Sequence, residues 1–274
     1  MTIQTPTCDL HTHTLHSDGV LPPEALVDLA ASRGLSALAV TDHDTLGGLA
    51  AAAQRGREIG IEVVPGIELS VQAGEHDVHL LGYFVTRGEV LRAALDEIQG
   101  ERVQRANRMV ERLAGLGMRL DAGDVARRAR GGVVGRPHVA EALLEHGFVT
   151  SLDEAFDRFL AVGQPAFVPK RTVTLAEGAR LLRAAGGVPV VAHPSVSGID
   201  ALVPELFAAG VLGLEVWHPT HDTDAVRRYS RWARRHGLVP SGGSDFHREV
   251  PGGLLPGGLH LPMSVLDALR PLAS

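Results

Sequence analysis

A chain of 274 residues, 45% of them hydrophobic, is long enough to bury one full α/β core, and with 4% aromatic residues that core must be mainly Leu, Val and Ala. The net charge of −6 excludes a broad nucleic-acid grip driven by bulk charge and favours a small or short anionic substrate. A single cysteine, Cys8, excludes an internal disulfide, no apolar run reaches the ~18 residues a membrane span needs, and no charged-then-apolar leader is visible, so a cytoplasmic protein without a membrane partner is expected.

The first element is a short apolar run ending in Asp9-Leu10-His11-Thr12-His13. In an extended segment the side chains at i and i+2 point the same way, so His11 and His13 can grip one metal ion. Asp18 follows in Ser17-Asp18-Gly19. Pro22-Pro23-Glu24 opens a helix that runs through Arg33 and stops at Gly34. Leu38-Ala39-Val40-Thr41 then leads into Asp42-His43-Asp44, and a second helix is expected near Leu46–Ile59. The run from Ile61 to Ile67 leads into Glu68, and His79 follows in His79-Leu80-Leu81-Gly82-Tyr83.

From Gly88 the pattern changes to helical stretches near Val90–Leu116, Pro137–His146 and Asp153–Leu160, with no strand-like run between the first two. In the first, Arg105, Arg108 and Arg112 make a basic stripe that reads either as a solvated face or as a guide for anionic substrate. Arg136 and His138 flank Pro137 at a helix start, where free backbone N–H groups and a guanidinium fork suit phosphate. Strand–helix alternation resumes around Ala166-Phe167-Val168, with Lys170 and Arg171 as further phosphate-binding candidates before a helix at Leu175–Ala185. Val188–Ala192 delivers His193, and Val239–Ser244 delivers Asp245-Phe246-His247. Val211–Val216 delivers Trp217, His218 and His221. His218 is placed to protonate a leaving alkoxide and Trp217 to stack on a base, or these residues serve the core.

Apolar strands alternating with helices imply a parallel sheet, often closed into a barrel whose strand ends share one active face. His11, His13, Asp18, His43, Glu68, His79, His193, Asp245 and His247 would meet there. Histidine with carboxylate and no thiolate suits Mn, Zn or Fe(II), and nine ligands exceed what one ion can use. Sites with two or three ions favour hydrolysis of phosphate esters. One of Asp42 and Asp44 is expected to orient His43, and Asp9 the His-x-His pair, through second ring nitrogens.

Asp-Leu-His-Thr-His (9–13), Ser-Asp-Gly (17–19), Thr-Asp-His-Asp-Thr (41–45), Gly-Ile-Glu-Leu-Ser (66–70), His-Leu-Leu-Gly-Tyr (79–83), Ala-His-Pro (192–194) and Gly-Ser-Asp-Phe-His (243–247) together resemble the PHP (polymerase and histidinol phosphatase) family. Gly135-Arg136-Pro137-His138 makes the chain most similar to its stand-alone, TrpH-like phosphoesterases of nucleoside 3′,5′-bisphosphates. The resemblance implies an α/β fold, a distorted (β/α)7 barrel over residues 1–94 and 166–274. A small helical domain, 95–165, is expected as an insertion covering the active-site mouth. It also implies three divalent ions, Mn or alternatively Fe or Zn. His11, His13, Glu68 and Asp245 would hold one ion, Glu68, His79 and His193 a second, and Asp18, His43 and His247 the third, with Glu68 bridging. The catalytic set is then His11, His13, Glu68, Asp245 and His218, and Arg136, His138, Lys170, Arg171, Trp217 and His218 would touch substrate.

The implied reaction is removal of the 3′-phosphate from a nucleoside 3′,5′-bisphosphate, with short 5′-phosphorylated oligoribonucleotides as further substrates and no obligate protein partner. A histidinol-phosphate-type phosphatase is the alternative that ligand spacing cannot separate. A non-catalytic, polymerase-associated module fits less well, because every expected ligand position is filled.

Overall fold

Short runs of Val, Leu and Ala become strands here because they can be buried on both faces, as the strands of a barrel wrapped in helices must be. The computed structural model describes residues 6–128, 134–169, 173–198, 206 and 208–274, with backbone alone at 98 and 99. Its strands are β1 (Thr7–Asp9), β2 (Leu35–Val40), β3 (Glu62–Ala73), β4 (His76–Tyr83), β5 (Val173–Thr174), β6 (Val188–Val191), β7 (Gly213–Trp217), β8 (Val239–Gly242) and β9 (Leu261–Pro262). They form one sheet in the order β8-β7-β6-β4-β3-β2-β1-β9, with β5 beside β3. A bridge between Thr12 and Phe246, with His13 N donating to Phe246 O at 2.9 Å, joins the segments that follow β1 and β8. The bridge closes β1-β2-β3-β4-β6-β7-β8 into a distorted seven-stranded barrel, and β9 lies antiparallel along β1.

The sheet is parallel on either side of β4 but not at β4 itself, which runs antiparallel to both β3 and β6. The expectation of a wholly parallel sheet therefore fails at this strand. Only Gly74 and Glu75 separate β3 from β4, with Gly74 at φ 58°. A parallel neighbour would need a crossover of a dozen or so residues.

Helices α1 (Pro23–Ser32) and α2 (Leu49–Ile59) cover one side of the barrel, where Leu26, Val27, Ala30 and Ala52 pack with Leu38 and Val40. The barrel interior is filled by Cys8, Leu10, Ala37, Ala39, Val64, Leu81, Tyr83 and Val190, and burial pushes the Cys8 thiol up to about 12, making it an inert packing group. Helix α3 (Gly88–Gly115) is followed by α4 (Ala122–Arg128), α5 (Arg136–Glu145) and α6 (Leu152–Ala155), which continues into a π turn at Phe156–Leu160. Then come α7 (Leu175–Ala184), α8 (Pro194–Ser197), α9 (Thr223–His236) and α10 (Met263–Leu269). Helix α7 starts at a reciprocal cap, Thr174 Oγ1 accepting from Glu177 N while the Glu177 carboxylate accepts from Thr174 N at 2.9 Å. Among the described residues no helix is long and apolar enough to cross a membrane.

The chain divides into two compact units, Met1–Arg92 with Thr172–Ser274, and Ala93–Arg171. The second has a core of its own, with Met109, Leu113, Val125, Val139, Leu143, Leu160 and Val168. The strand expected at Ala166-Phe167-Val168 is irregular chain, held by arginines instead of by a ladder. Arg105, itself buried, donates through Nε to Val168 O at 2.8 Å, and Arg112 donates to Phe167 O. Two of the three arginines of the basic stripe are thus clamps within this unit, and Arg108 lies 3.9 Å from Glu101.

Close approach at one glycine couples the barrel wall to the residues that follow β1. A Cβ on Gly243 would sit 2.3 Å from both Cβ and N of His11, atoms that are held in a packed core and cannot yield. Gly243→Ala is therefore expected to cost about 1–3 kcal/mol of stability, the usual range for overpacking. Chemical denaturation of the metal-free protein measures this, and an unchanged midpoint would mean that the backbone has room to give.

Candidate metal centre

The segment after β1 stays extended because Thr12 is tied on both sides: its N–H donates to Thr41 Oγ1 at 3.1 Å and its hydroxyl to Ala39 O at 2.6 Å. Extension puts His11 and His13 on one side, with ring centroids 5.1 Å apart. His43 follows β2 and forms an isolated parallel bridge with Glu68. Glu68 and His79 come from strand interiors, because β3 runs on to Ala73 and its hairpin partner β4 turns back. The amino half of β4 therefore lies beside the carboxyl half of β3, at the end of the barrel where the other ligands emerge. His193 follows β6 and Asp245 follows β8, both with left-handed backbone (φ 23° and 51°). Such conformations cost about 1–3 kcal/mol each in non-glycine residues and cluster at functional sites.

The fully buried carboxylate of Glu68 is the centre of the arrangement. Its Oε2 faces His11 Nε2 at 3.0 Å, His13 Nε2 at 3.2 Å and His43 Nδ1 at 3.3 Å. Its Oε1 faces His79 Nδ1 at 2.8 Å and His193 Nε2 at 3.0 Å. Asp245 Oδ1 adds contacts to His11 Nε2 at 3.3 Å and His13 Nε2 at 3.1 Å. His247 Nε2 lies 3.2 Å from Asp18 Oδ1, and His43 Nε2 3.7 Å from Asp18 Oδ2.

These residues fit divalent ions better than they fit each other. Five imidazoles crowd one carboxylate, which has about four lone-pair sites. Both ring nitrogens of His13 are buried without a hydrogen bond, although Glu68 and Asp245 lie close by, so the contacts have the distance but not the alignment of hydrogen bonds. Two ligand atoms each about 2.1 Å from one ion and at right angles to each other stand roughly 3.0 Å apart, which is the spacing found here. The potential ligand atoms of His11, His13, Glu68 and Asp245 lie within 4.8 Å of one another, as do those of His13, Asp18, His43 and His247, and those of His43, Glu68 and His79. The expected set with Asp18 thus gains His13, while His79 and His193 share Glu68 Oε1.

Glu215, which sequence reasoning passed over as part of an apolar run, proves central. It is fully buried in β7, with Oε1 3.0 Å from His11 Nδ1 and Oε2 accepting from His193 N at 2.7 Å. A carboxylate only accepts, so Glu215 keeps the proton on His11 Nδ1 and leaves Nε2 facing the centre, a carboxylate–histidine pairing usual behind metal ligands. The available signal was a lone glutamate inside a strand otherwise buried.

Asp9, Asp42 and Asp44 accept hydrogen bonds from backbone and hydroxyl groups of the loops that carry the histidines. Asp9 accepts from His11 N (3.3 Å), Ser244 N (2.9 Å) and Gly257 N (2.7 Å). Asp42 accepts from Thr14 N and Oγ1 and from Ser17 Oγ, and Asp44 from Ser70 N and Oγ. Buried N–H groups at the loop starts need acceptors, and these carboxylates are the nearest.

His218 sits at the centre, with Nε2 3.2 Å from Asp245 Oδ2 and Nδ1 2.9 Å from Thr220 Oγ1. His221 turns away, with Nδ1 on Val216 O and its ring on Tyr229. Trp217, open to stacking or to a core role, is partly buried and packs against the barrel core. In the helical unit the Arg136 guanidinium lies 6.0 and 5.9 Å from the rings of Phe156 and Phe167, and His138 Nδ1 accepts from Gly135 N at 3.0 Å. Lys170 and Arg171 lie outside the described residues.

Burial alone would lower the affinity of these imidazoles for protons, but the carboxylates outweigh it at three of them, His11, His13 and, through Glu68, His193. Asp245 and Glu68 push His13 up to about 9, and Asp245, Glu215 and Glu68 hold His11 well above the ordinary histidine value. At His43 burial wins, pushing it down to about 4. The histidines in turn hold Glu68 and Asp245 well below the usual carboxylate range against the cost of burial. Metal ligation needs neutral imidazole, so His11 and His13 must surrender protons when an ion binds at about pH 7, whereas His43 has none to give. Metal affinity should accordingly rise by roughly tenfold per pH unit per displaced proton until pH passes about 9. Calorimetric titration of Mn²⁺ into metal-free protein, in buffers of different ionisation enthalpy, counts the protons. An affinity flat over that pH range would contradict the protonation pattern.

The PHP domain model matches residues 9–160. A 3′,5′-nucleoside bisphosphate phosphatase of Chromobacterium violaceum is 36% identical over 259 residues, covering 89% of this chain and 88% of its own. A 5′-3′ exoribonuclease of Haemophilus influenzae is 33% identical over 250 residues, covering 87% and 89%. A Bifidobacterium adolescentis structure assigned as a metal-dependent phosphoesterase superposes with a TM-score of 0.82 at 29% identity, covering 98% of this chain and 97% of that one. With its seven-stranded barrel and its converging histidines and carboxylates, the chain belongs to the PHP family.

Proposed function

We propose that the chain is a metal-dependent phosphoesterase that removes the 3′-phosphate of nucleoside 3′,5′-bisphosphates, using three divalent ions held at the Glu68 centre. The observation that carries this reading is the single carboxylate faced by five imidazole nitrogens, in a relative of a phosphatase with that substrate. His11, His13, Glu68 and Asp245 would hold one ion, Glu68, His79 and His193 a second, and Asp18, His43 and His247, with His13 beside them, the third. Bound there, divalent ions supply an attacking water of lowered pKa and neutralise phosphoryl oxygens. A ligand set of nitrogen and oxygen without thiolate suits Mn, Fe(II) or Zn.

Glu68 would serve two ions, since each of its oxygens faces a different group of histidines. Glu215 fixes the His11 tautomer, and the two left-handed residues, His193 and Asp245, aim their side chains inward. His218 is the proton donor: Thr220 Oγ1 steadies its Nδ1 while Nε2 stands at the edge of the centre, beside Asp245, where a leaving oxygen would depart. The likeness to the Haemophilus influenzae exoribonuclease supports short RNA as a second substrate, since the same ester chemistry releases nucleotides from a 5′ end.

The test is phosphate release from adenosine 3′,5′-bisphosphate by Mn-loaded protein, beside histidinol phosphate and an aryl phosphate. Fast release that leaves 5′-AMP supports the reading, and hydrolysis of histidinol phosphate or the aryl ester alone overturns the substrate. Glu68→Ala should lose two ions and abolish turnover while far-UV circular dichroism stays native; full metal content and near-normal rate would remove Glu68 from the bridge. His218→Asn should lower kcat by about 10²–10⁴ on the nucleotide but far less on an aryl phosphate, whose good leaving group needs no proton. An equal loss on both substrates would mean that His218 is not the acid.

A further inference from the structure

Beside the metal centre lies an open cleft of about 280 Å³, close to the roughly 300 Å³ at which pockets begin to hold small organic ligands. One wall is His218, Asp245 and His247, already placed at the centre, so the cleft opens directly beside it. The opposite lip carries Val250 and Leu254, large apolar side chains left 47% and 36% exposed. Arg248 also lines the cleft, and it is the residue directly after His247. Among the described residues Arg248 makes no ion pair or hydrogen bond, unlike Arg105 and Arg112, which are spent on carbonyls. The loop bearing the lip is pinned: Gly257 N donates to Asp9, Arg33 Nε donates to Pro256 O at 2.6 Å, and a turn closes from Gly253 N to Val250 O.

An apolar lip, a free guanidinium and a metal centre on one cleft suit a ligand with an organic body between two anionic groups. We infer that this cleft receives the leaving group, its lip covering the nucleoside, and that Arg248 binds the phosphate that is not cleaved. The inference rests on the phosphatase reading above and adds to it the source of the preference for a bisphosphate. Guanidinium is the right cation for this task, because its planar fork matches two phosphate oxygens.

The experiment compares wild type, Arg248→Ala and Arg248→Lys on adenosine 3′,5′-bisphosphate and on adenosine 3′-monophosphate, which lacks the second phosphate. The ratio of kcat/KM for the two substrates should fall by about ten- to a hundredfold in Arg248→Ala, mostly through KM, and partly recover in Arg248→Lys. Calorimetry of 5′-AMP with metal-free protein should show the same weakening, independent of turnover. An unchanged ratio and unchanged AMP affinity in Arg248→Ala, with wild type active on the bisphosphate, overturn this role alone. Absence of bisphosphate hydrolysis by wild type overturns the phosphatase reading and this inference with it.

Discussion

Everything at the active end of this barrel depends on one buried anion. Removing a carboxylate from water costs several kcal/mol even after relaxation, so Glu68 is tolerable only with positive charge around it. In the chain itself that charge comes from protonated histidines, which hold Glu68 well below its ordinary range while its field helps raise His11 and His13. Divalent ions do the same task with more charge in less space. Metal binding at this site would therefore displace protons, and the ring nitrogens are already spaced as ligands of common ions would be.

A second layer of carboxylates makes that arrangement rigid. Asp9, Asp42 and Asp44 each accept from buried backbone or hydroxyl groups of the ligand-bearing loops, and Glu215 spans the His11 ring and the His193 backbone. Asp9 has a further reach, since it ties the loop after β1 to Ser244 and to Gly257, at the far end of the loop that walls the cleft beside the histidine centre. A change at Asp9 would thus disturb metal and substrate positions together. The division of labour is physical: histidines with open lone pairs face the centre, and carboxylates that can accept several N–H bonds hold the scaffold.

Much of this was legible in the chain, and the misses share a cause. His11, His13, His43, Glu68, His79, His193, Asp245 and His247 could be read because each follows or lies within an apolar run. Glu215 was missed because a buried acid inside a strand looks like the strand's own polar residue until the His11 ring is seen against it. Asp9, Asp42 and Asp44 could be singled out beside the histidines, but not their backbone and hydroxyl partners, since such hydrogen bonds leave no trace in residue type. Of the two roles open to Trp217, stacking on a base or serving the core, its packing against the barrel core favours the second. The antiparallel course of β4 was hidden because apolar runs carry no direction, and only the two-residue turn after Ala73 hinted at it.

By itself, then, the sequence determined the composition of the site: which histidines and carboxylates converge, that they emerge from a barrel, and that the chemistry is hydrolysis at phosphate. Those properties are local, set by residue type and by the period of apolar runs. Tertiary structure alone decided which oxygen of Glu68 faces which histidine, which carboxylates orient and which staple, and which arginines are already engaged. Each is a matter of a few ångströms between residues tens or hundreds of positions apart, and such distances exist only once the barrel has closed through Thr12 and Phe246.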